Sequence, residues 1–283
     1  MMARRITSIL PDLSFEEALE ISKIHSVAGK IGNDTLINKR PFRSPHHTIS
    51  TTGLIGGGSF PKPGEISLSH FGVLFLDELP EFNKKTIEVL RGPLEDREVT
   101  ISRANATYSY PCNFMLVASM NPCPCGFYGS PDKECTCTER QRSLYRGRIS
   151  GPILDRIDIQ VEVPNVKYEK LEGKSGESSN IIKERVNKAR EIQLNRYKGL
   201  NIYSNADLTP KMIDIVCKLS EPSKIILKKS FEKLKLSARA YSRILKVART
   251  IADLDGQKDI QSTHIIEAIG YRSLDRKEWI IKK

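Results

Sequence analysis

The sequence predicts an α/β core built on a parallel sheet, followed by an all-α bundle. Three observations predict it. Residues 72–76, Gly-Val-Leu-Phe-Leu, form a continuous apolar run, the pattern of a strand buried on both faces. Around this run the order is strand, helix, hairpin, strand, which belongs to a sheet with crossover helices. From about residue 179 onward the apolar period is helical throughout. With 283 residues, 39% of them apolar, the chain is long enough for two domains with a core each. The same composition excludes a disordered tail, a collagen and a minimal disulfide scaffold. The expected division is a core over 1–165, a linker over 166–180 and a helical module over 181–283.

Taken in order, Ser14 with Glu17 makes a capping box that opens a helix through Glu20, Ile21, Ile24 and Val27, stopped by Gly29. Residues 30–70 carry Pro41, Pro45, Gly53, Gly56 to Gly58, Pro61, Pro63 and Gly64, and read as an extended insertion with short strands. The apolar strand is followed by a helix from Lys84 to Arg91. A hairpin pairs Val99–Ser102 with Thr107–Tyr110, and Phe114–Ser119 reads as a second buried strand. Ile159–Val163 reads as a short strand, and Glu172–Asn180, rich in Gly, Ser and charge, as linker. Helices are expected near 179–197, 210–219, 222–234, 238–254 and 263–271, with Thr209 and Pro210 marking the second. Trp279 is expected to pack the last segment against the bundle.

Charge is distributed unevenly. Residues 1–165 hold 19 basic and 19 acidic residues, so the whole net charge of +11 lies beyond them. A basic module implies either an anionic partner, nucleic acid above all, or solvated lysine-rich helix faces. No run approaches the roughly 20 apolar residues of a membrane span, and Ile6–Leu10 is too short for an export signal. A cytoplasmic chain is therefore expected, with its six cysteines as thiols or metal ligands rather than disulfides.

Val73-Leu74-Phe75-Leu76-Asp77-Glu78 is an apolar strand ending in two carboxylates. This is the layout of a Walker B element, in which Asp77 faces a Mg²⁺ ion on nucleotide phosphates and Glu78 orients the attacking water. The alternative is a buried strand leaving the core at an acidic turn. The second strand ends in Met120-Asn121-Pro122, which puts an amide at the same sheet edge, where open α/β sheets bind ligands. Asn121 then holds the water or the γ-phosphate in the sensor 1 role, or is an ordinary turn asparagine before proline. Arg156 reads as an arginine finger reaching across a subunit boundary, or as half of a structural Asp-Arg pair. Arg239 and Arg243, one helical turn apart, are candidates for a lid helix on the same nucleotide. Separately, Cys123-Pro-Cys125 and Cys135-Thr-Cys137, with nine residues between the pairs, offer four thiolates for a tetrahedral Zn²⁺ site, or are reduced free cysteines. Cys112 and Cys217 read as core thiols. His46 and His47 are adjacent, but no metalloprotease pattern recruits them.

The runs Arg40–Thr48 (RPFRSPHHT), Gly56–Phe82, Asn121–Gly126 (NPCPCG) and Ile149–Asp158 (ISGPILDRID) together resemble the magnesium-chelatase-like AAA+ ATPases of the YifB/ComM competence type. The resemblance covers residues 1 to 271. It implies an AAA+ P-loop-type core and a helical lid, with a helix-2 insert at 44–70 and a hairpin before sensor 1 at 98–110. It implies ATP and Mg²⁺ as cofactors, Asp77 and Glu78 as Walker B, Asn121 as sensor 1, Arg156 as arginine finger, and Arg239 as sensor 2 with Arg243 as fallback. It further implies a homo-oligomeric ring, a hexamer, acting on DNA, with Arg103 at the hairpin tip as the candidate DNA contact or else an ordinary solvated charge.

One part of the family pattern is missing from the sequence. Members carry a Gly-rich loop ending in Gly-Lys-Ser/Thr just before a segment like Met2-Ala-Arg-Arg, preceded by a Lon-like domain. Gly173-Lys174-Ser175 lies in the linker and does not replace that loop. The expectation is therefore a chain truncated just after Walker A and inactive alone. Two other functions stand beside DNA remodelling: a zinc-stabilised DNA-binding or subunit-interaction fragment without catalysis, and a motor for inserting Mg²⁺ into a porphyrin.

Overall fold

A computed structural model describes residues 2–31, 36–58, 61–103, 106–163, 176–200 and 202–272. The chain divides between Arg156 and Ile157 into two units. Trp279, residues 164–175 of the linker region with Gly173-Lys174-Ser175, and the hairpin-tip residues Ala104 and Asn105 lie outside the described residues, as does the Arg103 side chain.

The first unit runs α1 (Met2–Arg5), α2 (Phe15–Val27), β1 (Phe42–Arg43), α3 (Thr51–Ile55), β2 (Gly56–Gly57), β3 (Lys62–Pro63), α4 (Glu65–Leu68), β4 (Val73–Leu76), α5 (Lys84–Glu88), α6 (Arg91–Asp96), β5 (Glu98–Arg103), β6 (Ala106–Pro111), β7 (Met115–Ala118), α7 (Glu139–Arg146) and α8 (Gly151–Leu154). The Ser14 capping box forms as the sequence predicts: Glu17 N–H donates to Ser14 Oγ, and Ser14 N–H donates to the Glu17 carboxylate. The central sheet is parallel in the order β1-β4-β7. Gly72 lets the first pair close up, because a Cβ there would stand 2.1 Å from the Pro41 carbonyl oxygen. Apolar residues of β4, Leu74 and Leu76, pack with Leu54, Ile66, Ile87 and Ile153 into the core. The hairpin β5-β6 turns Val99 and Ile101 onto that core and a row of hydroxyls, Thr100, Ser102, Thr107 and Ser109, outward.

Two expectations change here. β7 is not buried on both faces: Met115 is 46% exposed and Leu116 and Val117 are half-buried. Its register explains this, since among the described residues β4 is its sole strand neighbour and the other edge is open. Ile159–Val163 is extended but pairs with no strand among the described residues. It is tied instead within the second unit, where Gln160 N–H donates to the Tyr271 carbonyl at 2.8 Å.

The second unit holds α9 (Ser179–Arg196), α10 (Pro210–Val216), α11 (Glu221–Leu234), α12 (Ala238–Leu254) and α13 (Ser262–Gly270). Ile244, Leu245, Ala248 and Ala252 form the inward stripe of α12 and meet Leu227, Ile260 and Ile265. Beside that stripe lies a buried polar network. Arg196 and Arg249 both reach Asp253, whose side chain is fully buried, and Asn205 adds a third donor at 2.8 Å. Arg249 also donates to the carbonyls of Lys258 and Gln257, at 2.7 and 2.6 Å, and so holds the turn after α12. No helix among the described residues is long and apolar enough to cross a membrane.

Removing one partner of such a network leaves buried charge uncompensated. Asp253→Ala is expected to destabilise the helical unit by about 3–5 kcal/mol, read as a lowered urea midpoint. A pH effect is expected in the first unit. Burial depresses the pKa of His70, and of His25, below the ordinary 6.5. The fold therefore favours both neutral rings, a contribution present above the unfolded value and lost as pH falls below it. Acidification from about pH 7 to about pH 5 should lower the thermal midpoint, and His70→Gln should flatten that dependence.

Candidate functional site

The site is set by how β4 and β7 end. Their parallel register places Leu76 beside Ala118, so the residues that follow, Asp77 and Ser119, emerge together. Ser119 N–H donates to the Leu76 carbonyl at 3.1 Å, and Leu79 N–H donates to the Ser119 carbonyl at 2.9 Å. The Ser119 hydroxyl donates to Asp77 Oδ1 and accepts from Glu78 N–H at 3.3 Å. Between these bonds Glu78 adopts a left-handed backbone, φ 52° and ψ 50°, which costs a non-glycine residue about 1–2 kcal/mol. That turn ends the strand sharply and leaves both carboxylates exposed at the sheet's C-terminal end. Asn121, also exposed, stands two residues past Ser119. The structure thus brings three of the predicted residues, Asp77, Glu78 and Asn121, to one sheet edge.

A helix that the sequence reading missed backs this edge. Helix α7 opens on a capping box between Thr138 and Gln141. It directs Tyr145 inward, where the hydroxyl faces the Asn121 backbone and burial raises its pKa. Just beyond, Arg148 donates to the Pro80 carbonyl at 3.1 Å and to Glu81 at 2.9 Å, holding the turn that follows Glu78. Ser119, Tyr145 and Arg148 are the positions sequence reasoning passed over. For α7 the Thr138-to-Gln141 spacing was the available signal.

The predicted arginines are placed differently. Arg156 is folded into its own unit with 7% of its side chain exposed, donating to Glu95 and to the carbonyls of Arg91 and Pro152. In the second unit, Arg239 is exposed near the start of α12, and Arg243 pairs with Asp158. Arg103 closes β5 next to the hairpin tip.

Cys123, Cys125, Cys135 and Cys137 converge, with all four Sγ atoms within 4.8 Å of one another. A hydrogen bond from the Phe127 backbone draws the Cys125 thiol down to about 5, while burial pushes the neighbouring Cys137 thiol up to about 11. Four sulfur donors suit a borderline or soft metal ion, whereas the carboxylates at the sheet edge suit a hard one such as Mg²⁺. Cys112 and Cys217 are buried, and burial pushes their thiols up to about 12 and about 11.

Comparison with known proteins finds matches along most of the chain. Residues 1–171 match the family model for magnesium chelatase, subunit ChlI, and residues 176–272 match that for the ChlI C-terminal region. The chain belongs to the magnesium-chelatase-like family. Within it the chain matches the competence type. It is 46% identical over 278 residues to the competence protein ComM of Haemophilus influenzae, covering 98% of this chain and 53% of that protein. It is 46% identical over 279 residues to the YifB protein of Escherichia coli, covering 98% and 54%. The Rv2897c protein of Mycobacterium tuberculosis is 36% identical over 274 residues, covering 96% and 54%. The chain spans about half the length of the curated relatives it matches. For a family of the AAA+ type, the parallel core followed by a helical unit is the expected pair.

Proposed function

We propose that the chain is the nucleotide-hydrolysing part of a cytoplasmic AAA+ motor that couples ATP hydrolysis to DNA remodelling in a homo-oligomeric ring, a hexamer. The observation that carries this reading is the joint presentation of Asp77, Glu78 and Asn121 where β4 and β7 end, with Ser119 bridging the two strands. Exposed carboxylates at that edge fit a hard, oxygen-seeking cation, so Asp77 would hold Mg²⁺. When bound, Mg²⁺ neutralises charge on the nucleotide phosphates. Glu78 takes the proton of the attacking water, and Asn121 orients that water or the terminal phosphate. The phosphate-cradling loop that such hydrolysis requires has no counterpart among the described residues.

The arginine roles follow with conditions attached. Arg156 acts on a neighbouring nucleotide only by exchanging Glu95 for phosphate oxygens, and Arg239, exposed on α12, serves as sensor 2 with Arg243 as its fallback. For DNA, the hairpin offers Arg103 and the exposed Tyr108, and α11 offers the exposed Lys228, Lys229 and Lys233. The net positive charge beyond residue 165 accords with DNA rather than a porphyrin as the substrate. Zn²⁺ in the four-cysteine cluster is its structural ion.

Glu78→Gln is expected to lower the turnover of the full-length product by about 100-fold or more while nucleotide remains bound, read by phosphate release with Mg²⁺. An unchanged rate would sink the assignment. Ser119→Ala removes a bond of about 1 kcal/mol to Asp77. It is expected to raise the Mg²⁺ concentration for half-maximal turnover about fivefold, with a smaller effect on the rate at saturating Mg²⁺.

A further inference from the structure

The four cysteines are spaced for a metal ion. Cys123 and Cys125 Sγ are 3.4 Å apart, Cys123 and Cys135 Sγ 3.7 Å, and Cys125 and Cys135 Sγ 3.6 Å. A tetrahedron of sulfurs about 2.3 Å from a central zinc has edges of about 3.8 Å, so an ion fits between them with little movement. The surroundings suit thiolates. Tyr128 N–H donates to Cys123 Sγ at 3.3 Å, and Arg142 approaches Cys135 Sγ at 4.0 Å while donating to the Cys137 carbonyl. Four thiolates around a divalent ion leave a net negative charge, and the guanidinium of Arg142 faces it. Packing supplies little of what holds this loop. Cys123 is buried, but Pro124, Tyr128, Gly129 and Pro131 to Glu134 are exposed.

What the cluster is fastened to gives it a further role. Cys123 follows Asn121 by two residues. The intervening Pro122 carbonyl accepts from both Nε and Nη2 of Arg146 at 3.3 Å. Arg142 and Arg146 both lie over the Tyr128 ring, 4.7 and 4.9 Å from its centre. One helix, α7, therefore grips the cysteine loop through two arginines, the Asn121 backbone through Tyr145, and leads directly to Arg148 on the turn after Glu78.

We propose that a zinc ion held by Cys123, Cys125, Cys135 and Cys137 is a positioning element for the sheet edge, fixing the Ser119–Cys123 segment against α7 and so setting where Asn121 stands relative to Glu78. Its consequence for hydrolysis rests on the nucleotide reading above; the binding and ordering of the segment rest on the geometry alone. Closed tetrathiolate sites are structural, so the ion takes no part in the chemistry and acts through the residues it orders.

The test uses the full-length gene product purified without chelator. Elemental analysis should find about one zinc per chain, and the Cys125→Ser, Cys137→Ser double variant should lose it. Hydrogen exchange in peptides covering 119–123 and 139–149 should quicken by about tenfold or more when zinc is stripped with a strong chelator. It should recover when zinc is restored, while peptides of α12 stay unchanged. Arg146→Ala, which spares all four ligands, should keep the zinc and still quicken exchange at 119–123. Turnover should fall on stripping, with the nucleotide KM little changed. Absence of bound zinc, an iron–sulfur absorption band in its place, or unchanged exchange at 119–123 after zinc loss would each overturn the proposal. If zinc and exchange behave as expected but the zinc-loaded protein hydrolyses no nucleotide, it is the nucleotide reading that fails.

Discussion

Everything at the candidate site depends on β4 and β7 ending side by side. Two parallel strands in register bring their C-terminal ends level without any designed contact. Here one small side chain makes the junction tight. The Ser119 hydroxyl sits between the Asp77 carboxylate and the Glu78 backbone, while its own backbone binds Leu76 and Leu79. These bonds oppose the cost of the left-handed Glu78, and without that turn the second carboxylate would continue along the strand. A serine suits the position because it both donates and accepts in a very small volume.

The elements legible in the sequence were those whose signal is local. The apolar run before Asp77, the Ser14 capping box and the stripe of α12 each follow from residues a few positions apart, and each forms as read. What was not legible depends on distant partners. Nothing near Phe114 shows that β7 has a strand on one side and none described on the other. The carbonyl of Arg91 and the carboxylate of Glu95, which hold Arg156, lie more than sixty residues away in sequence. Helix α7 escaped for another reason: its run Glu-Arg-Gln-Arg-Ser-Leu-Tyr-Arg has just two apolar residues, Leu144 and Tyr145, and Tyr145 is its buried residue. Its stability comes from its cap and from arginines spent on carbonyls and an aromatic ring, which no hydrophobic pattern reports.

The net charge of +11 also changes meaning once the folds are known. Several arginines are used internally. In the basic second unit Arg196 and Arg249 share Asp253, and Arg249 also binds the Lys258 and Gln257 carbonyls. Guanidinium suits this work because its planar fork satisfies several acceptors at once. The charge left at the surface of the second unit is carried largely by lysines, such as those of α11. Such a net charge attracts polyanions at long range without selecting among them.

Arg156 shows why a residue type at the right place in a motif does not settle its role. Its guanidinium is nearly enclosed and already has a carboxylate and two carbonyls as partners. Moving it to a phosphate on another subunit is an exchange, and its free energy is the difference between two sets of charge-assisted bonds. Glu95 is 52% exposed, so water replaces the arginine on the carboxylate at modest cost. The two carbonyls are the firmer hold, because the backbone of α6 and α8 presents them at fixed positions. An arginine held in this way is pre-aligned with those two helices. Any force that shifts α8 against α6 acts directly on those two bonds.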